Sequence, residues 1–170
     1  MAALQDEATL YFFANYSDQL FPGDGYANEN GMFQLYQKES VNNGSIAEII
    51  RAIGMAALGN KGNHQLLITA RAKQLKVLGQ LNKQLQTGVT RSTLLTCLLL
   101  ASFEVSQCLV QPTLQLKLGQ TIICDSPQSM QVRQSHIQGA ITMAELLGPP
   151  KLFDAMNTGI SLRLRNNLVI

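Results

Sequence analysis

A chain of 170 residues, 46 % hydrophobic and with only 5 Pro and 13 Gly, has the size and composition of one globular domain and excludes a fibrous or low-complexity protein. Charged residues make up 14 %, below the roughly 25 % of typical soluble domains, so the sequence requires either extensive burial of helix surface or apolar surface meant for a partner. The net charge of +2 is small, and three cysteines are too few and too irregularly spaced for a disulfide framework or a four-ligand zinc site.

The charge is unevenly spread along the chain. Residues 1–48 hold seven acids (Asp6, Glu7, Asp18, Asp24, Glu29, Glu39 and Glu48) against one base, Lys38. Residues 49–103 hold seven bases (Arg51, Lys61, Arg71, Lys73, Lys76, Lys83 and Arg91) and no acid. Packing of the acidic third against the basic segment accounts for this most simply. A nucleic-acid surface is the lesser reading, because no aromatic residue lies between Tyr36 and Phe103 to stack on bases.

In chain order, Leu4, Ala8, Tyr11, Phe12, Tyr16 and Leu20 recur at helical spacing and predict a helix over 3–20. Phe21 to Gly25 stops it, and a loop leads to a short helix over 32–38. After the Asn42–Gly44 turn, Ser45 and Glu48 form the Ser-x-x-Glu pattern of a reciprocal helix cap, followed by Ile46, Ile49, Ile50, Ile53 and Ala57. Gly59-Asn60 are expected to end this helix with positive φ. From Asn63 the stripe Leu67, Ala70, Gln74, Leu78, Leu81 and Leu85 predicts a long amphipathic helix, with Gly79 expected at a close helix contact. Thr87-Gly88 interrupts it, and 92–108 is apolar on most faces, which is the pattern of a central helix. The stretch 59–104 therefore reads as a helical hairpin around which the rest is organised. Beyond it, the sequence predicts a helical turn over 116–124, a helix entered at Ser126-Pro127 and stopped at Gly148-Pro149-Pro150, and short helices over 151–156 and 161–169.

The result is an all-α chain: an irregular helical bundle, or a short solenoid of antiparallel helix pairs, in a single domain over 1–170. Residues 1–44 form its acidic helix and loop and residues 45–170 its main body. Met1 to Thr9 carry Asp6 and Glu7 and lack the basic stretch of a secretory signal. The most apolar window, 94–110, is interrupted by Thr96, Ser102, Glu104, Ser106 and Gln107, so it reads as a buried helix and not as a membrane span. The expectation is an intracellular, soluble protein.

Candidate chemistry is sparse. There is no Gly-x-Ser-x-Gly, phosphate-cradling loop, dinucleotide fingerprint or His-Glu-x-x-His, and no metal or cofactor is expected. His64 belongs in the first turn of its helix, facing solvent, and Cys97 is a core thiol by its apolar neighbours. Glu104 is the sharpest residue, since a carboxylate ending an apolar run either reaches the rim or is buried with a partner. Its structural role is a polar lock between helices. Its catalytic role would pair it with His136 for acid–base work, and these two are the candidate site residues.

Ala57-Leu58-Gly59-Asn60, the run Ala70 to Leu85 ending Leu81-Asn82-Lys83-Gln84-Leu85, Thr93-Leu94 to Ser102-Phe103-Glu104, and His136-Ile137-Gln138-Gly139-Ala140 with Leu146-Leu147-Gly148 and Leu152-Phe153 together set an order of signals. That order resembles the regulatory domain of fungal-specific transcription factors, over roughly residues 45–165. The resemblance implies an all-helical regulatory protein, in the nucleus or cytoplasm and concerned with transcription in fungal, including specialised, metabolism. It would act through protein partners, self-association or a small-molecule ligand. Members read DNA through a six-cysteine zinc cluster, and residues 1–48 hold no cysteine, so the resemblance implies a regulator without that DNA reader. The family domain also continues past the position of Ile170, which leads us to expect a truncated bundle with an uncovered surface. The alternative is a regulatory fold recruited as a biosynthetic enzyme or small-molecule binder, with Glu104 and His136 lining a pocket.

Overall fold

Thirteen of the fifteen residues of one helix, Ser45–Gly59, are buried, and the packing follows from that. A computed structural model describes residues 2–16, 32–41, 44–108 and 127–148. It contains six helices: α1 (Ala2–Asn15), α2 (Met32–Ser40), α3 (Ser45–Gly59), α4 (His64–Thr87), α5 (Arg91–Cys108) and α6 (Pro127–Leu147). Among the described residues there is no strand, and the chain is an all-α bundle. The short helices expected over 116–124, 151–156 and 161–169, and the end of the helix expected to reach Leu20, lie outside the described residues.

Ile46, Ile49, Ile50, Ile53 and the small Ala47, Ala52, Ala56 and Ala57 make α3 apolar almost all round, so it needs cover on every side. It receives that cover from α1, α2, α4 and α5, while α6 packs on the far side of the core against α5. The central position therefore falls to α3, together with the buried face of α5. The expected hairpin of α4 and α5 is not the organising unit, since the two touch sparsely: α4 packs mainly on α3, and α5 divides its packing between α6 and α3. The closed hairpin is α3–α4. Gly59 lies against Leu67, Glu48 against Lys73, and Ser45 against Gln80, an antiparallel register set by the four-residue turn Asn60–Asn63. α4 carries only one buried stripe, Ala70, Gln74, Val77 and Leu81, and so can cover one neighbour but not hold a core by itself.

The helix ends show where sequence rules transfer. Asn63 caps α4, its Oδ1 accepting from Leu66 N–H at 3.3 Å. Gly88 (φ 127°) and Gly148 (φ 74°) follow the ends of α4 and α6 in the left-handed half of φ space, as their sequence positions predict. The Ser45/Glu48 cap does not form. Residue Gly44 is the N-cap, and the Glu39 carboxylate of α2 accepts the Ile46 N–H at 3.0 Å in place of a local cap. The other oxygen of Glu39 accepts from Ser92 Oγ at 3.1 Å, tying α2, α3 and α5 together. The reciprocal cap stands instead at α5: Thr90 N–H donates to Thr93 Oγ1 at 2.8 Å, and Thr93 N–H to Thr90 Oγ1 at 3.2 Å. Asn60 keeps ordinary helical φ (−64°), and the positive φ in that turn belongs to Gly62 (116°).

Two glycines exchange their expected roles. Gly79 of α4 faces open space, and a Cβ there would meet nothing within 4 Å. Gly54 of α3 is the contact glycine, where a Cβ would lie 1.9 Å from the carbonyl oxygen of Ala8 in α1. This close approach seats Ala8 and Phe12 on α3, both fully buried. The aromatic rings of Phe13, Phe33 and Tyr36 then join α1 to α2 in edge-to-face pairs 5.1 and 5.6 Å apart.

Candidate functional site

Three features carry polar or exposed chemistry: a buried carboxylate between α3 and α4, a polar group between α4, α5 and α6, and the outer face of α4.

Glu48 is 4 % exposed, on the face of α3 turned to α4. Lys73 reaches it at 2.8 Å, Arg51 at 3.4 Å and Lys76 at 3.9 Å. Burial pushes the Glu48 carboxyl up, but the Lys73 hydrogen bond and the charges of Lys73, Lys76 and Arg51 outweigh it and hold the carboxyl below its usual range. Three of the seven bases of the middle segment thus converge on the last acid of the N-terminal third, and the charge asymmetry is partly internal bookkeeping of the fold. The sequence pattern placed Glu48 in a cap and Lys73 among the seven bases of 49–103 expected to face the acidic third, without joining the two.

Glu104 is 7 % exposed and accepts a 2.5 Å hydrogen bond from Gln74 Nε2, itself 5 % exposed. The polar lock between α4 and α5 is this pair. The signal was present in the sequence, because Gln74 is the one polar residue in the buried stripe of α4. His136, on α6, is half-buried, and burial lowers its pKa while the nearby Glu104 charge opposes the shift. Its Nε2 is buried without a hydrogen-bond partner among the described residues. Its backbone carbonyl accepts from the Cys97 thiol at 3.1 Å. Burial raises the Cys97 pKa to about 11, so this thiol is an inert core group. The structure therefore brings Glu104 and His136 into electrostatic range while committing the Glu104 hydrogen bond to Gln74. His64 is exposed at the first turn of α4. Among the described residues no three His, Cys, Asp or Glu side chains are grouped to hold a metal ion, and no helix is long and apolar enough to cross a membrane.

The third feature is apolar. Opposite the buried stripe of α4, Ile68 is 52 % and Leu75 67 % exposed, with exposed Ala72 and Gly79 completing the line i, i+4, i+7, i+11. At 100° per residue these four lie within about 60° of one another and run about 16 Å along the helix. Exposed Arg71 and Lys83 flank them, and α4 contains no acid in its 24 residues.

Compared with known proteins, the chain matches no family model, no curated protein and no solved structure.

Proposed function

We propose that the chain is a non-catalytic regulatory module that acts through protein contacts. The outer face of α4 carries this reading, since a helix that is apolar on both its core and its solvent sides has one side more than the fold uses. The most deeply buried carboxylates support it from the other direction. Glu48 is satisfied by Lys73 and Glu104 by Gln74, which is the arrangement of structural locks and leaves neither poised for proton transfer.

The order of residues that resembles the fungal transcription-factor regulatory domain gives this module a setting: transcriptional control, in the nucleus, in fungal and specialised metabolism. With three cysteines these 170 residues cannot themselves form a six-cysteine zinc cluster. The test is a reporter experiment in which the chain is fused to a heterologous DNA-binding domain. Reporter output should change several-fold, and Leu75→Glu, on the exposed face, should abolish the change. A fusion that leaves the reporter unaltered refutes the transcriptional reading.

A second reading, small-molecule sensing or a recruited binding or enzymatic role between α4, α5 and α6, is favoured by one observation: the buried Nε2 of His136, without a hydrogen-bond partner among the described residues, within the field of Glu104. A ligand that supplied a donor there would satisfy it. A thermal-shift screen should then find compounds that raise the melting temperature of the parent and not of His136→Ala. A screen in which every active compound shifts both proteins equally refutes it.

A further inference from the structure

We propose that the outer face of α4 docks an acidic amphipathic helix of a partner protein. The inference rests on the protein-contact reading above and deepens it by stating the chemistry of the partner. The centre of the face is apolar, with Ile68 and Leu75 standing out to solvent. Ala72 and Gly79 alternate with them, and the open space above Gly79 lets a second backbone come close. A partner helix therefore presents aliphatic side chains at i, i+3 or i+4 and i+7, the spacing by which helices lie along apolar strips. About ten to fifteen residues span the strip at 1.5 Å per residue.

Charge selects among occupants. Exposed Arg71 and Lys83 border the strip, and no acid occurs on the helix to neutralise them; Lys76, also on the border, is half exposed and lies 3.9 Å from Glu48. A second copy of the chain would set these bases against themselves, which like-charge repulsion disfavours. Nucleic acid fits the bases but not the centre, where there is no aromatic ring to stack on a base and two aliphatic side chains would face phosphate and sugar. Carboxylates flanking an aliphatic stripe match both parts of the face. Glu48 pairs with Lys73 and Arg51 and, at 3.9 Å, with Lys76, and Glu39 sits at the start of α3, so Arg71 and Lys83 are the bases that carry the selection.

The experiment uses the full chain and three fluorescent fifteen-residue helical peptides with the same aliphatic stripe, flanked by Glu, by Gln or by Lys, followed by anisotropy at low and high salt. The Glu peptide should bind about fivefold or more tighter than the Gln peptide at low salt, converge on it at high salt, and leave the Lys peptide weakest. Leu75→Glu and Ile68→Glu should each weaken the Glu peptide about tenfold or more. Arg71→Glu with Lys83→Glu should invert the order of the Glu and Lys peptides. Circular-dichroism melting of each variant should match the parent, because the altered residues face solvent. Equal binding of Glu and Gln peptides overturns the acidic partner and leaves the protein-contact reading standing. Failure of all three peptides, together with a silent reporter, overturns both. A fall of more than about 5 °C in the melting temperature of Leu75→Glu shows the strip to be covered by this chain itself, and sedimentation showing a dimer that Leu75→Glu dissociates shows it to be covered by a second copy. Either result overturns the proposal.

Discussion

Placing the same side chain at two glycines should move stability in opposite directions. In α4, Gly79→Ala adds a methyl that meets nothing within 4 Å and removes the backbone freedom of glycine. It should stabilise by up to about 1 kcal/mol, the helix-propensity difference. In α3, Gly54→Ala brings the same propensity gain, but its Cβ would sit 1.9 Å from Ala8 O, 2.6 Å from Ala8 C and 3.0 Å from Ala8 Cα. Ordinary contact is roughly 3.5 Å, so α1 must withdraw by about 1.5 Å. The obstacle is backbone and cannot rotate away. Withdrawal loosens Ala8 and Phe12, both fully buried, and Phe13 with its ring pairs to Phe33 and Tyr36. Overpacking costs about 1–3 kcal/mol where side chains can adjust. Here the upper end applies, and subtracting the propensity gain leaves about 2 kcal/mol of net destabilisation, or a melting temperature lower by about 4–8 °C. Urea titration followed by circular dichroism measures both variants. If α1 detaches before the rest unfolds, the denaturant slope of Gly54→Ala should also fall. A neutral Gly54→Ala, or a Gly79→Ala as destabilising as it, would refute the packing of α1 on α3.

Five further outcomes follow from the buried groups. Lys73→Met should cost about 1.5–3 kcal/mol, the range of a hydrogen bond to a charged group, whereas Lys76→Met, at 3.9 Å and half exposed, should stay within about 0.5 kcal/mol. Because the Glu48 pKa is lowered on folding, its contribution is present above the unfolded glutamate value of about 4.3 and is lost as pH falls through the lower folded value; Glu48→Gln should remove that part of the acid sensitivity in urea melts. Gln74→Leu strands the Glu104 carboxylate and should cost at least about 2 kcal/mol, while Glu104→Gln keeps an acceptor and should cost less, a comparison read by denaturant midpoints. Cys97, with its pKa near 11, should react with iodoacetamide at neutral pH only at the rate of unfolding, and fast labelling of the folded protein would contradict its burial against His136. The lowered pKa of His136 means that the unfolded state takes up its proton first, so stability should fall as pH drops through about 6.5 toward the folded value, and His136→Gln should flatten that part of the profile.

How far the sequence foretold these features depended on whether their cause was local. The ends of α4 at Asn63 and Gly88, the entry of α6 at Pro127 and its stop at Gly148 rest on one residue's own conformational preference, and these could be read directly. The start of α3 could not, because the acceptor for Ile46 N–H is Glu39, seven residues away on another helix, and Glu48 was drawn off to Lys73. The Ser-x-x-Glu pattern describes a cap when nothing else competes for the glutamate, and here three bases do. The glycines failed for the same reason. Whether Gly54 or Gly79 meets a neighbour is decided by which face turns toward another helix, and 3.6-residue periodicity fixes faces without naming their partners. Periodicity also mistook the α4–α5 pair for the organising hairpin. Length and apolar content identify candidates for the centre, but only α3 is short and apolar enough to be covered on all sides at once. The Glu104 site was half legible: the lone carboxylate was evident, and the lone glutamine at the matching depth of α4 was the unread half.

The shortage of charge in the composition acquires a location from this arrangement. A bundle whose central helix needs cover all round consumes one apolar stripe from each neighbour, and for α4 that stripe is Ala70, Gln74, Val77 and Leu81. Ile68 and Leu75 are surplus to that need, and each lies where a lysine or glutamate would ordinarily keep an outer helix face in water. Burying two such side chains under a partner gains roughly 1.5–3 kcal/mol each, which is small beside the cost of association, so the strip cannot by itself make a permanent complex. The flanking bases can raise the encounter rate and choose the partner without adding much affinity. A weak, charge-selected and readily reversed contact is what these magnitudes allow, and a regulatory contact that must form and dissolve has those properties.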